Sequence, residues 1–187
     1  MPTTTSCHEP FPTSVVLQSP DCPRLFMKPR KSKDRLIIGW REWISLPDFG
    51  INTVKAKVDT GARTSSLHAF DVESYYRGTT EMVRFTIHPE QRSGKREVSV
   101  KARVHEWRKV RSSSGEAELR PVILTTIEIF GESWEVELTL TRRDSMGFRM
   151  LLGRQAVRGH MIVDPGRSYL NGRRNKTTGK LIKPQTD

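Results

Sequence analysis

Cysteine is almost missing from this chain: only Cys7 and Cys22 occur among 187 residues. Both lie in a Pro/Ser/Thr-rich lead, outside any strand pattern, which excludes a disulfide scaffold. They read as free thiols of a cytoplasmic protein, with a local disulfide left open. No apolar run approaches the eighteen or more residues of a membrane span, so a helical membrane protein is excluded. Val15-Val16-Leu17 is too short for the apolar core of a secretory signal. Acidic residues are outnumbered, 21 against 32 Lys and Arg, for a formal net charge of +11. There is no Gly-x-x-x-x-Gly-Lys-Ser/Thr loop to cradle phosphates, and no His-Glu-x-x-His pair. The histidines, His8, His68, His88, His105 and His160, are scattered, whereas zinc draws on closely spaced His, Cys and carboxylate groups.

What is present bounds the architecture. A hydrophobic content of 35% over this length fits one domain with tails. Prolines break any pattern up to about Arg35, so residues 1–35 read as a disordered lead, 36–165 as the domain and 166–187 as a basic tail. The lead holds six Lys/Arg against three Asp/Glu, and the tail six against one, so most of the excess charge lies outside the domain. Solvated ends that keep the protein soluble are one explanation, and attraction to a polyanion, RNA or an acidic polypeptide, is the other. Apart from Tyr169, no aromatic interleaves with the basic tail residues to stack bases.

Within the domain the periodicity is that of strands. Leu36–Trp40 opens it, and Pro47-Asp48-Phe49-Gly50 is a turn. Val54, Ala56 and Val58 alternate with Lys55 and Lys57, and Ser65–Phe70 continues beyond. Met82–Ile87, Val98–Val104, Val122–Phe130 and Trp134–Thr141 follow, punctuated by turns at Gln91–Lys95 and Gly131–Ser133. The chain is therefore expected to be all-β, barrel-like or sandwich-like, with a short helix after Gly153 as its one helical stretch. In Gly39-Trp40-Arg41-Glu42-Trp43, the two tryptophans are expected on opposite faces, chiefly as packing.

One tight turn stands out. The strand ending at Val58 delivers Asp59 onto Asp59-Thr60-Gly61, placing a carboxylate directly after core. Gly61 allows either a backbone angle closed to other residues or a close main-chain approach. About ninety residues later comes Leu151-Leu152-Gly153-Arg154. Together, Val58-Asp59-Thr60-Gly61-Ala62 and Leu151-Leu152-Gly153-Arg154 resemble the retropepsin-type aspartic peptidase half. The longer strings Ile38–Trp43 and Lys55–His68 resemble, within it, the bacterial family labelled "ATP-dependent zinc protease", found alongside the glutamate ligase that modifies a small-subunit ribosomal protein. The similarity runs from about Leu36 to Pro165.

The resemblance implies a retropepsin-like barrel half with Asp59, Thr60 and Gly61 as catalytic turn. Aspartic peptidases use two carboxylates that share one proton. This chain has a single Asp-Thr-Gly, so the expectation is a homodimer in which Asp59 of each copy meets on a two-fold axis, braced by Thr60. Asp71, Asp144 and Asp164 are other acids within the chain, without that context. The segment between Trp107 and Pro121 falls where a retropepsin has its flap, with a tip at Ser112–Gly115.

Viral retropepsins have an acid after Asp-Thr-Gly-Ala where this chain has Arg63, leaving Arg154 to find another partner or face the cleft. Arg63, Arg154, Arg111 and Ser113 are the expected substrate-binding residues, and with Arg108 and Lys109 they favour an acidic peptide. The alternative for Arg63 is a pair with Glu42 or Asp164. The resemblance implies as substrate the oligoglutamate tail of the ribosomal protein, with the glutamate ligase as partner. No cofactor is read from the residues themselves, although the family label names zinc. ATP dependence is expected to belong to a partner. The competing functions are a catalytically inactive module that docks on ribosome or ligase, and a zinc-dependent protease as the family label says.

Overall fold

Alternation along residues 51–59 becomes a nine-residue strand with Ala56 and Val58 buried and Lys57 exposed, because only a period of two sorts these side chains between core and water. The computed structural model describes residues 15–16, 35–90, 96–111, 115, 117–142, 147–174 and 181–182. In chain order its strands are β1 (Val15–Val16), β2 (Leu36–Gly39), β3 (Arg41–Leu46), β4 (Ile51–Asp59), β5 (Ser65–His68), β6 (Phe70–Arg77), β7 (Thr80–Ile87) and β8 (Val98–Arg103). They continue with β9 (Glu106–Arg111), β10 (Ala117–Ile129), β11 (Glu132–Thr141), β12 (Met150–Gly153), β13 (Met161–Asp164), β14 (Arg173–Arg174) and β15 (Leu181–Ile182). One helical turn, α1 (Arg154–Val157), follows β12 at the place expected from the sequence, and the class is all-β.

The large sheet runs β11-β5-β12-β4-β3-β10-β9, and β10 also pairs with β11. That second pairing closes six of the strands into a ring and leaves β9 as an arm. The β3–β10 contact is one residue pair, Ser45 with Glu128, while β10 and β11 pair along eight. A smaller sheet, β1-β8-β7-β6, packs against it, and Phe49 meets Phe85 edge to face at 6.0 Å across the junction. Fully buried Ile38, Ile44, Leu46, Ile123, Ile127 and Leu138 fill the interior. Each contributes about 1.5–3 kcal/mol of transfer free energy.

Two departures from the sequence reading have local causes. Strand β6 is absent from that reading, because its residues are mostly exposed on both faces and its pairing with β7 slips between Phe70 and Glu73, where Asp71 has φ 50°. Within the lead, Val15 and Val16 pair in parallel with Val100 and Lys101, while the rest of that segment up to residue 34 lies outside the described residues.

Residues 166–171, read with the tail, are hydrogen-bonded to the domain. The carbonyl of Arg167 accepts from Trp40 and that of Arg41 accepts from Tyr169, each at 2.9 Å. Glu42 is fully buried, and its carboxylate accepts the N–H groups of Gly39 at 2.8 Å, Leu170 at 2.9 Å and Asn171 at 3.1 Å. A buried carboxylate satisfied by three backbone donors is a structural tie between β2–β3 and the chain end. Gly39 is required there, since a Cβ would run into the backbone of Arg167 and Ser168.

Candidate active site

Two stretches about ninety residues apart meet at the acidic turn. Strand β12 lies between β4, which it joins in parallel, and β5, which it joins antiparallel, so that Gly153 sits beside Asp59. Gly153 packs directly on the main chain of the next segment: a Cβ would lie 2.5 Å from the carbonyl carbon of Thr64. Its N–H donates to Ser65 Oγ at 3.0 Å. The first N–H groups of α1, which have no partner inside the helix, donate to the loop after the acid: Arg154 to the Ala62 carbonyl at 2.8 Å and Gln155 to that of Arg63 at 3.1 Å. Arg154 Nη1 adds bonds to the carbonyls of Thr60 at 2.9 Å and Gly61 at 3.4 Å. The turn is thus held from outside by α1 and its first side chain.

Asp59 is held from within. Its Oδ1 accepts the N–H groups of Gly61 and Ala62, both at 3.1 Å. Among the described residues Oδ2 has no partner, and Asp59 is partly exposed, so one oxygen is anchored and the other is open. Gly61 does not need a left-handed angle; a Cβ there would lie 3.3 Å from Asp59 Oδ1, so the small residue keeps the carboxylate close to its donors. Thr60 is exposed at the tip.

Strands β9 and β10 make the hairpin expected as a flap, paired from Glu106–Val122 to Arg111–Ala117. Arg108 ties this arm to the body. Its Nη1 donates to Thr64 Oγ1 at 2.8 Å and to Glu137 Oε2 at 2.7 Å, and the guanidinium also meets Glu106. The Arg108 hydrogen bond holds the Glu137 carboxyl below the usual carboxylate range against the opposing effect of burial, with lesser help from the charges of His105 and Arg63. Beneath the arm, Thr64, Ser65, Glu135, Val136, Glu137, Gln155 and Ala156 line a groove of about 170 Å³. Trp134 braces its floor by donating Nε1 to the Ala156 carbonyl at 2.9 Å and stacking on His160 with centroids 4.5 Å apart.

The remaining expected residues fall in different places. Arg63 is exposed and, among the described residues, donates no side-chain hydrogen bond. Glu42 accepts backbone N–H groups as described above, and Asp164 Oδ1 accepts the Gly166 N–H at 2.9 Å, so neither supplies a partner for Arg63. Arg154 has its Nη1 on the turn, and Arg111 is exposed at the end of β9. Ser113 and Asp144 lie outside the described residues. Asp71 is on β6 and Asp164 ends β13, each on a different element from the Asp59 turn. Buried His68 is edge-on to Phe70 at 4.4 Å. Among the described residues no three His, Cys, Asp or Glu side chains group to hold a metal ion. Likewise, no helix there is long and apolar enough to cross a membrane.

Sequence reasoning missed three contributors: Ser65 Oγ under Gly153, the Arg108–Glu137 link, and the Glu42 tie. The alternation of Glu135 and Glu137 with Val136 marked an outward face, but the Arg108 partner across the groove is about thirty residues away in sequence.

A carboxylate-bearing turn backed by Leu-Leu-Gly-Arg and one helical turn, inside a closed β-layer with a hairpin arm, defines a retropepsin-like fold. The chain belongs to the RimB-like family, described as "Retropepsin-like aspartic endopeptidase RimB", whose model matches residues 37–174. Among curated relatives, a protein called "Probable alpha-L-glutamate ligase" from Shewanella halifaxensis (strain HAW-EB4) is 46% identical over 144 residues, 77% of this chain and 31% of that protein. One of the same name from Parasynechococcus marenigrum (strain WH8102) is 45% identical over 138 residues, 74% of this chain and 30% of that protein. The chain therefore spans about a third of the length of these relatives. A crystal structure of a protein of unknown function from Legionella pneumophila subsp. pneumophila str. Philadelphia 1 superposes with a TM-score of 0.60 at 26% identity, covering 73% of this chain and 98% of that one.

Proposed function

We propose that this chain is one half of an aspartic-type peptidase that becomes complete as a homodimer and hydrolyses acidic peptides. The observation behind this is the Asp59 carboxylate with Oδ1 anchored by its own turn and Oδ2 open. In the dimer, Asp59 of each copy faces the other across a two-fold axis, and the pair shares one proton because two like charges about 3 Å apart resist joint ionisation. The ionised member takes a proton from water, whose oxygen adds to the peptide carbonyl carbon. The protonated member donates to the carbonyl oxygen, and collapse breaks the C–N bond as a proton passes to nitrogen. Thr60, at the tip, braces the pair, and the β9–β10 arm covers the bound strand.

The substrate favoured by the family resemblance is an oligoglutamate tail on a ribosomal protein. The ligase name of the relatives fits a shared system. Because this chain matches about a third of them, we assign the ligase chemistry to the part of those proteins that it does not match. Purified protein is expected to sediment as a dimer and to shorten a Glu-tailed peptide. Asp59→Asn keeps an oxygen acceptor for Gly61 and Ala62 but removes the charge, and should lower the rate on the order of a thousandfold or more with the fold intact. A strict monomer that cleaves peptide refutes the dimer, and full function in Asp59→Asn favours a binding module instead.

A further inference from the structure

The face of β4 that ends in Asp59 is cationic. Alternate residues of a strand point the same way, so Lys55, Lys57 and Asp59 share one side, opposite buried Ala56 and Val58. The hairpin register sets Arg41 of β3 across from Lys57 and Trp43 across from Lys55. Going away from Asp59, the surface therefore presents Lys57 with Arg41, then Lys55 with Trp43. Among the described residues none of the three cations has a carboxylate within ion-pair distance.

Two of them rest on rings instead. The Arg41 guanidinium lies 4.5 Å from the Trp40 ring centroid and 4.9 Å from that of Tyr169, and the Lys55 ammonium lies 4.9 Å from Phe148 and 5.9 Å from Tyr169. Cation–π contact keeps both cations near the surface without neutralising them. Arg41 Nε is buried and, among the described residues, has no hydrogen-bond partner. Like charges directly opposite on a sheet face repel, so Arg41 and Lys57 are a standing cost in the free protein that a bound anion relieves.

We propose that Lys57, Lys55 and Arg41 form a track that selects acidic side chains of a bound peptide next to Asp59; this deepens the peptidase reading and rests on it. Alternate residues of an extended chain repeat at about 6.7 Å, the same spacing that separates Lys55 from Lys57 on β4. Carboxylates two residues apart in an extended peptide therefore match two successive cations. RNA would need a free aromatic face on which to stack, but Trp43 is stacked with Tyr169 and Trp40 is edge-on to Phe148. Continuity with Asp59 also favours peptide.

The test measures binding in the full-length Asp59→Asn protein, where no turnover interferes, by fluorescence anisotropy of a labelled octaglutamate peptide. Each cation removed should weaken binding about threefold, so Lys55→Gln with Lys57→Gln should lose about tenfold. Arg103→Gln, exposed at the end of β8, removes one charge from the other sheet and should change binding less than about twofold. Equal binding by the double variant, an equal loss in Arg103→Gln, or tighter track-dependent binding of an oligouridine of equal length would each overturn the proposal. Hydrolysis by the unmodified protein is scored separately: an inert enzyme whose Asp59→Asn variant still shows the lysine-dependent binding refutes the peptidase reading and keeps the track.

Discussion

Gly153→Ala tests whether the acidic turn is held by main-chain packing. An added Cβ would lie 2.5 Å from Thr64 C, 2.6 Å from Thr64 O and 2.8 Å from Ser65 N. All three are backbone atoms, so no side chain can swing aside, and ordinary contact requires about 1 Å more separation. Strand β12 is hydrogen-bonded on both edges, so it cannot retreat without stretching a ladder. Overpacking of this kind costs about 1–3 kcal/mol. Weakening the Gly153 N–H to Ser65 Oγ bond adds about 1 kcal/mol. At roughly 3 °C per kcal/mol for a domain of this size, a total near 2–4 kcal/mol lowers Tm by about 6–12 °C. The assay is calorimetry at fixed protein concentration, because the proposed dimer would make Tm concentration-dependent. Gly78→Ala is the comparator: its φ of 61° penalises alanine by conformation, but nothing lies within 4 Å, so its cost stays near about 1–2 kcal/mol. A Gly153→Ala Tm within about 2 °C of the parent, or a smaller shift than that of Gly78→Ala, refutes the packing argument.

The Arg108–Glu137 link predicts a pH signature. Because the folded Glu137 carboxyl titrates below its ordinary range, its stabilisation is complete above the unfolded pKa and is lost as pH falls through the lowered folded value. With the side chains 25% and 32% exposed, the contribution is discounted to about 1 kcal/mol. The Tm gap between the parent and Glu137→Gln should therefore be widest near neutrality and close below about pH 4; a gap constant across that range contradicts it. Glu42→Gln puts an amide NH₂ among three N–H donors in a fully buried site, and should cost about 2–4 kcal/mol in urea unfolding. A cost under about 0.5 kcal/mol would show that the tie to residues 170–171 does not stabilise the fold.

Much of the architecture was legible because most of the strands obey a period of two. Val98–Val104, Val122–Phe130 and Trp134–Thr141 declared themselves by alternation, and Gly50, with φ 65°, closed the first hairpin where a turn was expected. What stayed hidden was short or two-sided. Strand β6 has no buried face to set a pattern. The parallel pairing of β13 with β2 joins segments more than a hundred residues apart. The role of residues 166–171 was masked by the basic residues in and after them: Arg167 and Arg173 look like tail, while the segment is tied down largely by backbone groups and by the Asn171 amide, which composition does not reveal.

The site divides in the same way. Asp59 and the Leu-Leu-Gly-Arg string could be read together because each is locally distinctive, and the fold joins them through Gly153. Charge was harder, since its meaning depends on what lies across a strand. Arg108 looked like a free cation for substrate, but its guanidinium is engaged by Glu137, Glu106 and Thr64. Lys55 and Lys57 were visible only as the residues that alternate with Val54, Ala56 and Val58. Only the β3–β4 register, which brings Arg41 opposite Lys57, turns that alternation into a cluster. The basic character of the tails therefore misdirects attention. In the proposed reading, the part of the +11 excess that bears on substrate choice is the small share on the domain, where three cations without carboxylate partners among the described residues lie on the strand face that ends in Asp59.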